Sequence, residues 1–374
     1  MGTRASTFAK ATADRKAPRY GVVLFWVAWA CGWGGDGLRF GGMQKVIVDS
    51  DWGGDVMQLA SVLVSRPSEY KVLGATVTFG NASLRQNLQN AGAMLRFLGV
   101  DGVVPRYAGA VAPSEVEEQP EGDEAHGRTG LGDAVMELSE VAPAEMRAVD
   151  FLIDAIGREP AGSVVLVATG PQTNVAEAIR RAPEVMGRLK EIRIMGGCVR
   201  ELSGYRVNER LERLGTESIL RKGNITERAE FNFQQAPGDA RVVLESGIRV
   251  ALFPMDCTHQ LTFTKEREGR LAEVFGGDVE RLKVLGDLLS APRLIDERKW
   301  GIAPVMHDVH TTVSMVAPEL YAGRRGQVKV SNEGETDFLA DEAGPHWVAE
   351  RVVDADAVFE ELMASLGRLL LSRG

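Results

Sequence analysis

The stretch KVIVDSDWGGD, residues 45–55, decides how the rest of the chain is read. Val46, Ile47 and Val48 form a short β-branched run, the composition of a strand covered on both faces. It breaks off into Asp49, Ser50, Asp51, Trp52, two glycines and Asp55. Helical periodicity then runs from Gly54 to Ser65, so the stretch is a strand followed by a helix with acidic residues at the junction. In parallel α/β sheets, ligands bind beyond the carboxyl ends of the strands, where this junction falls.

The same alternation continues outward. KVLGATVTF (71–79) reads as a strand, Ser83 to Leu98 as a helix and VVPRYAG (103–109) as a third strand. Ala148 to Ile156 is helical, SVVLVATG (163–170) a strand, and Thr173 to Arg181 a helix stopped by Pro183. EIRIMGG (191–197) and IRVALFPMD (248–256) are further strands, Gln327 to His346 reads as short strands, and Asp354 to Leu371 is an amphipathic helix. This order predicts an α/β fold with an open, mostly parallel central sheet flanked by helices, in a single large domain over residues 43–374. Two segments interrupt it, an acidic one at 112–133 and an Arg/Glu-rich one at 199–229, and long loops in compact domains are commonly lids. The charges of the second also suit a solvated helix face.

At 374 residues, 44% hydrophobic and 25% charged, the chain can bury a large core. A formal charge of −9 argues against gripping phosphate backbones, so a small neutral or cationic ligand is expected rather than nucleic acid. Cys31, Cys198 and Cys257 show no zinc-site spacing. Residues 1–42 form an N-terminal extension with two readings. Gly21 to Ala30 is apolar, follows basic residues and precedes Cys31, as in an export or lipoprotein signal, which would put the protein outside the cytoplasm or on a lipid anchor. Alternatively the whole extension is an appendage ahead of Met43 on a cytoplasmic protein. The apolar run is too short to span a bilayer.

Other expected strand ends also carry polar residues: Asn81 after Gly80, Thr169 and then Asn174, and Gly196-Gly197. Farther on come Asn224, Glu230 and Asn232 around Phe231, and His307 beside Asp308. Singly, such residues cap helices and make turns. Together they suggest chemistry. Asp49, Asp51 and Asp55 repel one another unless a cation or shared proton offsets them, and hard oxygen ligands suit Ca²⁺ or Mg²⁺. A bound cation lowers the pKa of water, a carboxylate can act as base, Asn and Glu can hold sugar hydroxyls, and a His can protonate a departing nitrogen base. The set suits hydrolysis at an anomeric carbon. A haloacid dehalogenase-type phosphatase also places Asp-x-Asp after a strand, but leaves the GPQTN and EFN runs without a role.

DSDWGGD (49–55), TVTFGN (76–81), HGRTGLGD (126–133), ATGPQTN (168–174), IMGG (194–197), GNITERAEFNF (223–233) and HDVH (307–310) occur in the order and approximate spacing of the inosine-uridine preferring nucleoside hydrolases, which the chain resembles from Met43 to VVDADAVFEELMASL. The resemblance implies a bound Ca²⁺, hydrolysis of an N-ribosidic bond in nucleoside salvage, and a dimer or tetramer. It implies that Asp51 ligates calcium and activates water, with the Thr169 carbonyl and Asp308 as further ligands. Asp55, Asn81, Asn224, Glu230 and Asn232 would hold the ribose, Met195 would line its pocket, His307 would serve as acid, and His126 would approach the base. The family's first motif ends in two adjacent aspartates, whereas here Val56 follows Asp55; in a longer register Met57 and Gln58 replace the pair. Three outcomes stand: a weak calcium site that works, a substitute ligand such as Gln58 or a lid carboxylate, or a nucleoside-binding relative without turnover.

Overall fold

The computed structural model describes residues 43–114, 126–200, 223–226, 228–293, 296–297 and 301–370. The export-signal reading of residues 1–42 and, within the 199–229 segment, residues 201–222 and 227 lie outside the described residues. Among the described residues no helix is long and apolar enough to cross a membrane.

The order is β1 (Gln44–Ser50), α1 (Val56–Val64), β2 (Tyr70–Val77), α2 (Leu84–Phe97), β3 (Arg106–Ala108), α3 (Ala148–Arg158), β4 (Val164–Ala168), α4 (Thr173–Arg181), α5 (Pro183–Met186) and β5 (Glu191–Met195). It continues with α6 (Phe231–Gln235), α7 (Pro237–Glu245), β6 (Val250–Phe253), α8 (Met255–Thr258), α9 (Lys265–Phe275), α10 (Val279–Leu289), α11 (His310–Val316), β7 (Tyr321–Val330), β8 (Thr336–Ala340), β9 (His346–Val352) and α12 (Ala355–Leu370).

One nine-stranded sheet runs β3-β2-β1-β4-β5-β6-β9-β7-β8. It is parallel from β3 to β9, and β7 lies antiparallel to both β9 and β8. The expectation of a mostly parallel open sheet holds, with the antiparallel part confined to the C-terminal strands. Along β1, Val46 and Val48 join the apolar layer built with α1, α2, α11 and α12, while Ile47 joins the layer built with α3, α4 and α7. Helices therefore cover both faces, which explains a strand without polar alternation.

The chain moves from β1 through β2 to β3 on one side, then returns to place β4 against the other edge of β1. This reversal is the kind of switch point at which parallel α/β sheets bind ligands, and it falls at the carboxyl ends of β1 and β4, where the register sets Asp49 opposite Ala168. Asp51 and Thr169 follow immediately.

Candidate active site

Asp51 sits just past β1 and is buried, its Oδ2 accepting the Asn81 N–H at 2.8 Å. The backbone around it is built for close approach. Gly80 has φ +146°, and a Cβ there would lie 2.2 Å from Asp51 Oδ2. Trp52 takes φ +40°, a strained conformation for a bulky residue, and its carbonyl accepts from Asn90 Nδ2 at 3.2 Å. Such strain costs about 1–3 kcal/mol and gathers at functional sites.

Asp55 stands at the N-cap position of α1 but makes no capping hydrogen bond, and its buried Oδ1 has no partner among the described residues. Asp308, just before α11, completes the group. Burial first, then repulsion from Asp55 and Asp51, pushes the Asp308 carboxyl well up; burial, then Asp55, does the same to Asp51. Burial also raises Asp55, opposed by His126. Asp49 stands apart from this trio. Its Oδ1 accepts from Thr76 Oγ1 at 2.5 Å and Asn174 Nδ2 at 2.8 Å, tying β1 to β2 and α4, and burial raises its carboxyl to about 6.

The donor chemistry here fits a hard divalent cation: buried carboxylates that repel one another, with an unpartnered oxygen on Asp55. As placed, the side chains do not close into a cage, and among the described residues no three His, Cys, Asp or Glu groups do so. Thr169 follows β4 with its N–H bound to the Asp49 carbonyl at 2.9 Å, and its own carbonyl accepts weakly from Asn232 Nδ2 at 3.4 Å.

The expected sugar ligands divide into two kinds. Asn81 is held against Asp51 through its backbone. Glu230 is committed to the backbone: Oε1 accepts from Asn232 N at 2.8 Å, and Oε2 from Gly197 N at 2.7 Å and Phe233 N at 3.2 Å. It thereby caps α6 and fixes the turn after β5, and burial lifts its carboxyl to about 7. Asn232 Nδ2 reaches the Met195 carbonyl at 3.1 Å and Sδ at 3.5 Å, which places Met195 at the site. Asn224 Oδ1 accepts from Phe231 N at 3.0 Å, closing the loop ahead of Glu230 and leaving its amide nitrogen and one oxygen lone pair for a ligand.

Two histidines arrive from different segments. The loop 126–133 is tied to the first motif by Gly54 N donating to Gly130 O at 2.9 Å and Asn90 Nδ2 to Thr129 O at 2.7 Å, which sets His126 near Asp55 and His307. His307 has its Nδ1 2.7 Å from the Thr258 hydroxyl, and the His259 ring lies tilted beside it with centroids 5.4 Å apart. Burial foremost, then the neighbouring histidines, holds His307 well below the usual histidine range. Thr258 and His259 are absent from the site expected from sequence, although MDCTHQ follows a strand end as DSD does. His259 is buried, and its ring contact with His307 places it beside the site.

Residues 46–360 match the family described as inosine-uridine preferring nucleoside hydrolase. An uncharacterized protein of Schizosaccharomyces pombe is 31% identical over 335 residues, 87% of this chain and 100% of that protein. A pyrimidine-specific ribonucleoside hydrolase of Salmonella enteritidis is 30% identical over 300 residues, 78% of this chain and 85% of its own. The solved structure of a purine-preferring ribonucleoside hydrolase from Gardnerella vaginalis superposes with a TM-score of 0.73 at 26% identity, covering 87% of this chain and 99% of that one.

Proposed function

The chain belongs to the inosine-uridine preferring nucleoside hydrolase family, and from that premise we propose that it hydrolyses the N-ribosidic bond of a ribonucleoside to ribose and free base. The observation that carries the proposal is the grouping of Asp51, Asp55 and Asp308, buried and mutually repelling, with His126 and His307 close by at the switch point of the sheet.

A divalent cation, by donor chemistry Ca²⁺, held by Asp51, Asp55, Asp308 and the Thr169 carbonyl would offset the carboxylates and make a bound water more acidic. Asp51 takes a proton from the attacking water as general base. Asn81, Asn224 and Asn232 hold ribose hydroxyls, with Glu230 using whatever acceptor capacity its backbone bonds leave. As the C–N bond breaks, positive charge builds on the sugar ring, and the surrounding carboxylates favour it. His307 hydrogen-bonds the departing base through a ring N–H, with His126 beside it. Asp55, which repels Asp308 and keeps Oδ1 unpartnered among the described residues, is assigned here with the cation-binding carboxylates rather than with the ribose ligands.

The test is ribose release from a panel of purine and pyrimidine nucleosides, and from p-nitrophenyl riboside, by purified protein with added Ca²⁺. Release that disappears in Asp51→Ala supports the proposal. No release from any substrate, together with tight nucleoside binding by calorimetry, overturns it in favour of a binding protein.

A further inference from the structure

Thr258 is fully buried at the end of α8, the short helix that follows β6. Its hydroxyl has a single proton and two acceptors in reach, His307 Nδ1 at 2.7 Å and the Met255 carbonyl at 3.4 Å. The Met255 carbonyl already accepts the His259 N–H at 2.9 Å. A separation of 2.7 Å is usual for a hydroxyl donor and short for a ring N–H donor. The proton therefore belongs on the path to His307.

We propose that Thr258 is a positioning residue that donates to His307 Nδ1 and holds the ring as the tautomer with its hydrogen on Nε2. The inference rests on the reading of His307 as the group that meets the departing base. An imidazole without a hydrogen on Nδ1 is neutral, so its Nε2–H acts as a hydrogen-bond donor that stabilises charge on the leaving base without being transferred; neutral imidazoles polarise other substrates in this way. When the C–N bond breaks, its electron pair goes to the base nitrogen. The water oxygen bonds to the anomeric carbon, its proton passes to Asp51, and that proton returns through solvent to the base. His307 is only half-buried, and among the described residues the side-chain hydrogen bond of its ring is the one to Thr258 through Nδ1, which leaves the Nε2 side for a ligand. The adjacent His259 ring restricts reorientation of His307.

The experiment uses the full chain with Thr258→Val and Thr258→Ser, assayed on a nucleoside and on p-nitrophenyl riboside, whose p-nitrophenolate leaves unaided. Thr258→Val is expected to lower kcat on the nucleoside about 10²-fold while KM and the p-nitrophenyl riboside rate stay within about threefold, and Thr258→Ser is expected to restore most of the loss. ¹⁵N NMR of the imidazole is expected to show His307 protonated at Nε2 in the wild type and mixed in Thr258→Val. An equal loss on both substrates that Ser does not rescue, or an unchanged nucleoside kcat, overturns the inference. If the wild type hydrolyses neither substrate, the hydrolase reading fails by itself, and the NMR tautomers still decide for or against Thr258.

Discussion

Replacing Glu230 separates the two roles that its position allows. Sequence reasoning makes it a ribose ligand, whereas in the fold its carboxylate binds the N–H groups of Asn232 (2.8 Å), Gly197 (2.7 Å) and Phe233 (3.2 Å). Glu230→Ala leaves these donors without acceptors in a place water reaches poorly. A buried donor without a partner costs about 1–3 kcal/mol, and losing an N-cap about 1 kcal/mol. Counting the two short bonds at about 1.5 kcal/mol each and discounting the long one gives a loss of about 3 kcal/mol. Glu230→Gln keeps one acceptor oxygen without its charge, and about 1 kcal/mol is expected. Urea unfolding followed by tryptophan fluorescence measures both, and ribose release gives kcat and KM on the same samples. A stability for Glu230→Ala within about 0.5 kcal/mol of wild type, with activity lost, would refute the anchoring role and leave Glu230 as a ligand alone.

Arg193, buried on β5, pairs with Glu191 at 2.5 Å and donates to Thr311 O at 2.8 Å and Ser314 Oγ at 2.6 Å, so it secures the helix that begins just after Asp308. Arg193→Met is expected to lose about 3 kcal/mol in urea unfolding and to reduce ribose release with it. Asp296 Oδ2 accepts the Val305 N–H at 2.8 Å, and burial raises this carboxyl from 3.8 to about 7, so the folded state binds a proton that the unfolded state releases. Stability from this group is full below pH 3.8 and falls as pH rises to about 7, by at most about 4 kcal/mol. Asp296→Asn should therefore gain on the wild type in urea midpoint between pH 4 and pH 8, and parallel pH profiles would exclude this. Gly80→Ala drives a Cβ to 2.2 Å from Asp51 Oδ2 at φ +146°. Circular dichroism should stay near wild type while ribose release falls about 10²-fold, the effect of shifting a reacting group by about an ångström.

The sheet is legible because both of its faces are covered, which turns β4 and the centre of β1 into unbroken apolar runs that end sharply in polar residues. Strand order is not carried by such runs. That β4 returns to the free edge of β1, creating the switch point, follows from long-range pairing that no local pattern encodes. Asp51, Asn81 and Asp308 are legible from their places at strand ends or beside a histidine. Glu230 and Asn224 are legible as polar residues near the site but not as backbone anchors, because that role depends on Gly197 and Phe231 coming within reach. Asp49 counts among the clustered acids in sequence, yet Thr76 and Asn174 draw it into the framework. Thr258 escapes notice because a threonine in a short helix signals nothing until His307, from a distant segment, folds against it.

The same logic bears on Val56, where the resemblance to the family leads one to expect a second aspartate. Val56 opens α1 fully buried and belongs to the apolar layer with Val46, Val48 and Leu59. A carboxylate placed there would have to ionise among apolar neighbours, which burial opposes strongly. Position 56 is therefore a packing position in this chain, and the acid that the first motif sends toward Asp51 and Asp308 is Asp55, whose side chain makes no helix-capping bond and keeps an oxygen unpartnered among the described residues. Its repulsion with Asp308 is what a bound cation would relieve. On this reading the chain keeps three carboxylates at the switch point by a different distribution between its first motif and HDVH, and Asp55→Asn should weaken Ca²⁺ binding in calorimetry at least as much as it weakens nucleoside binding. A variant that binds Ca²⁺ as the wild type does, but has lost nucleoside affinity, would return Asp55 to the ribose ligands.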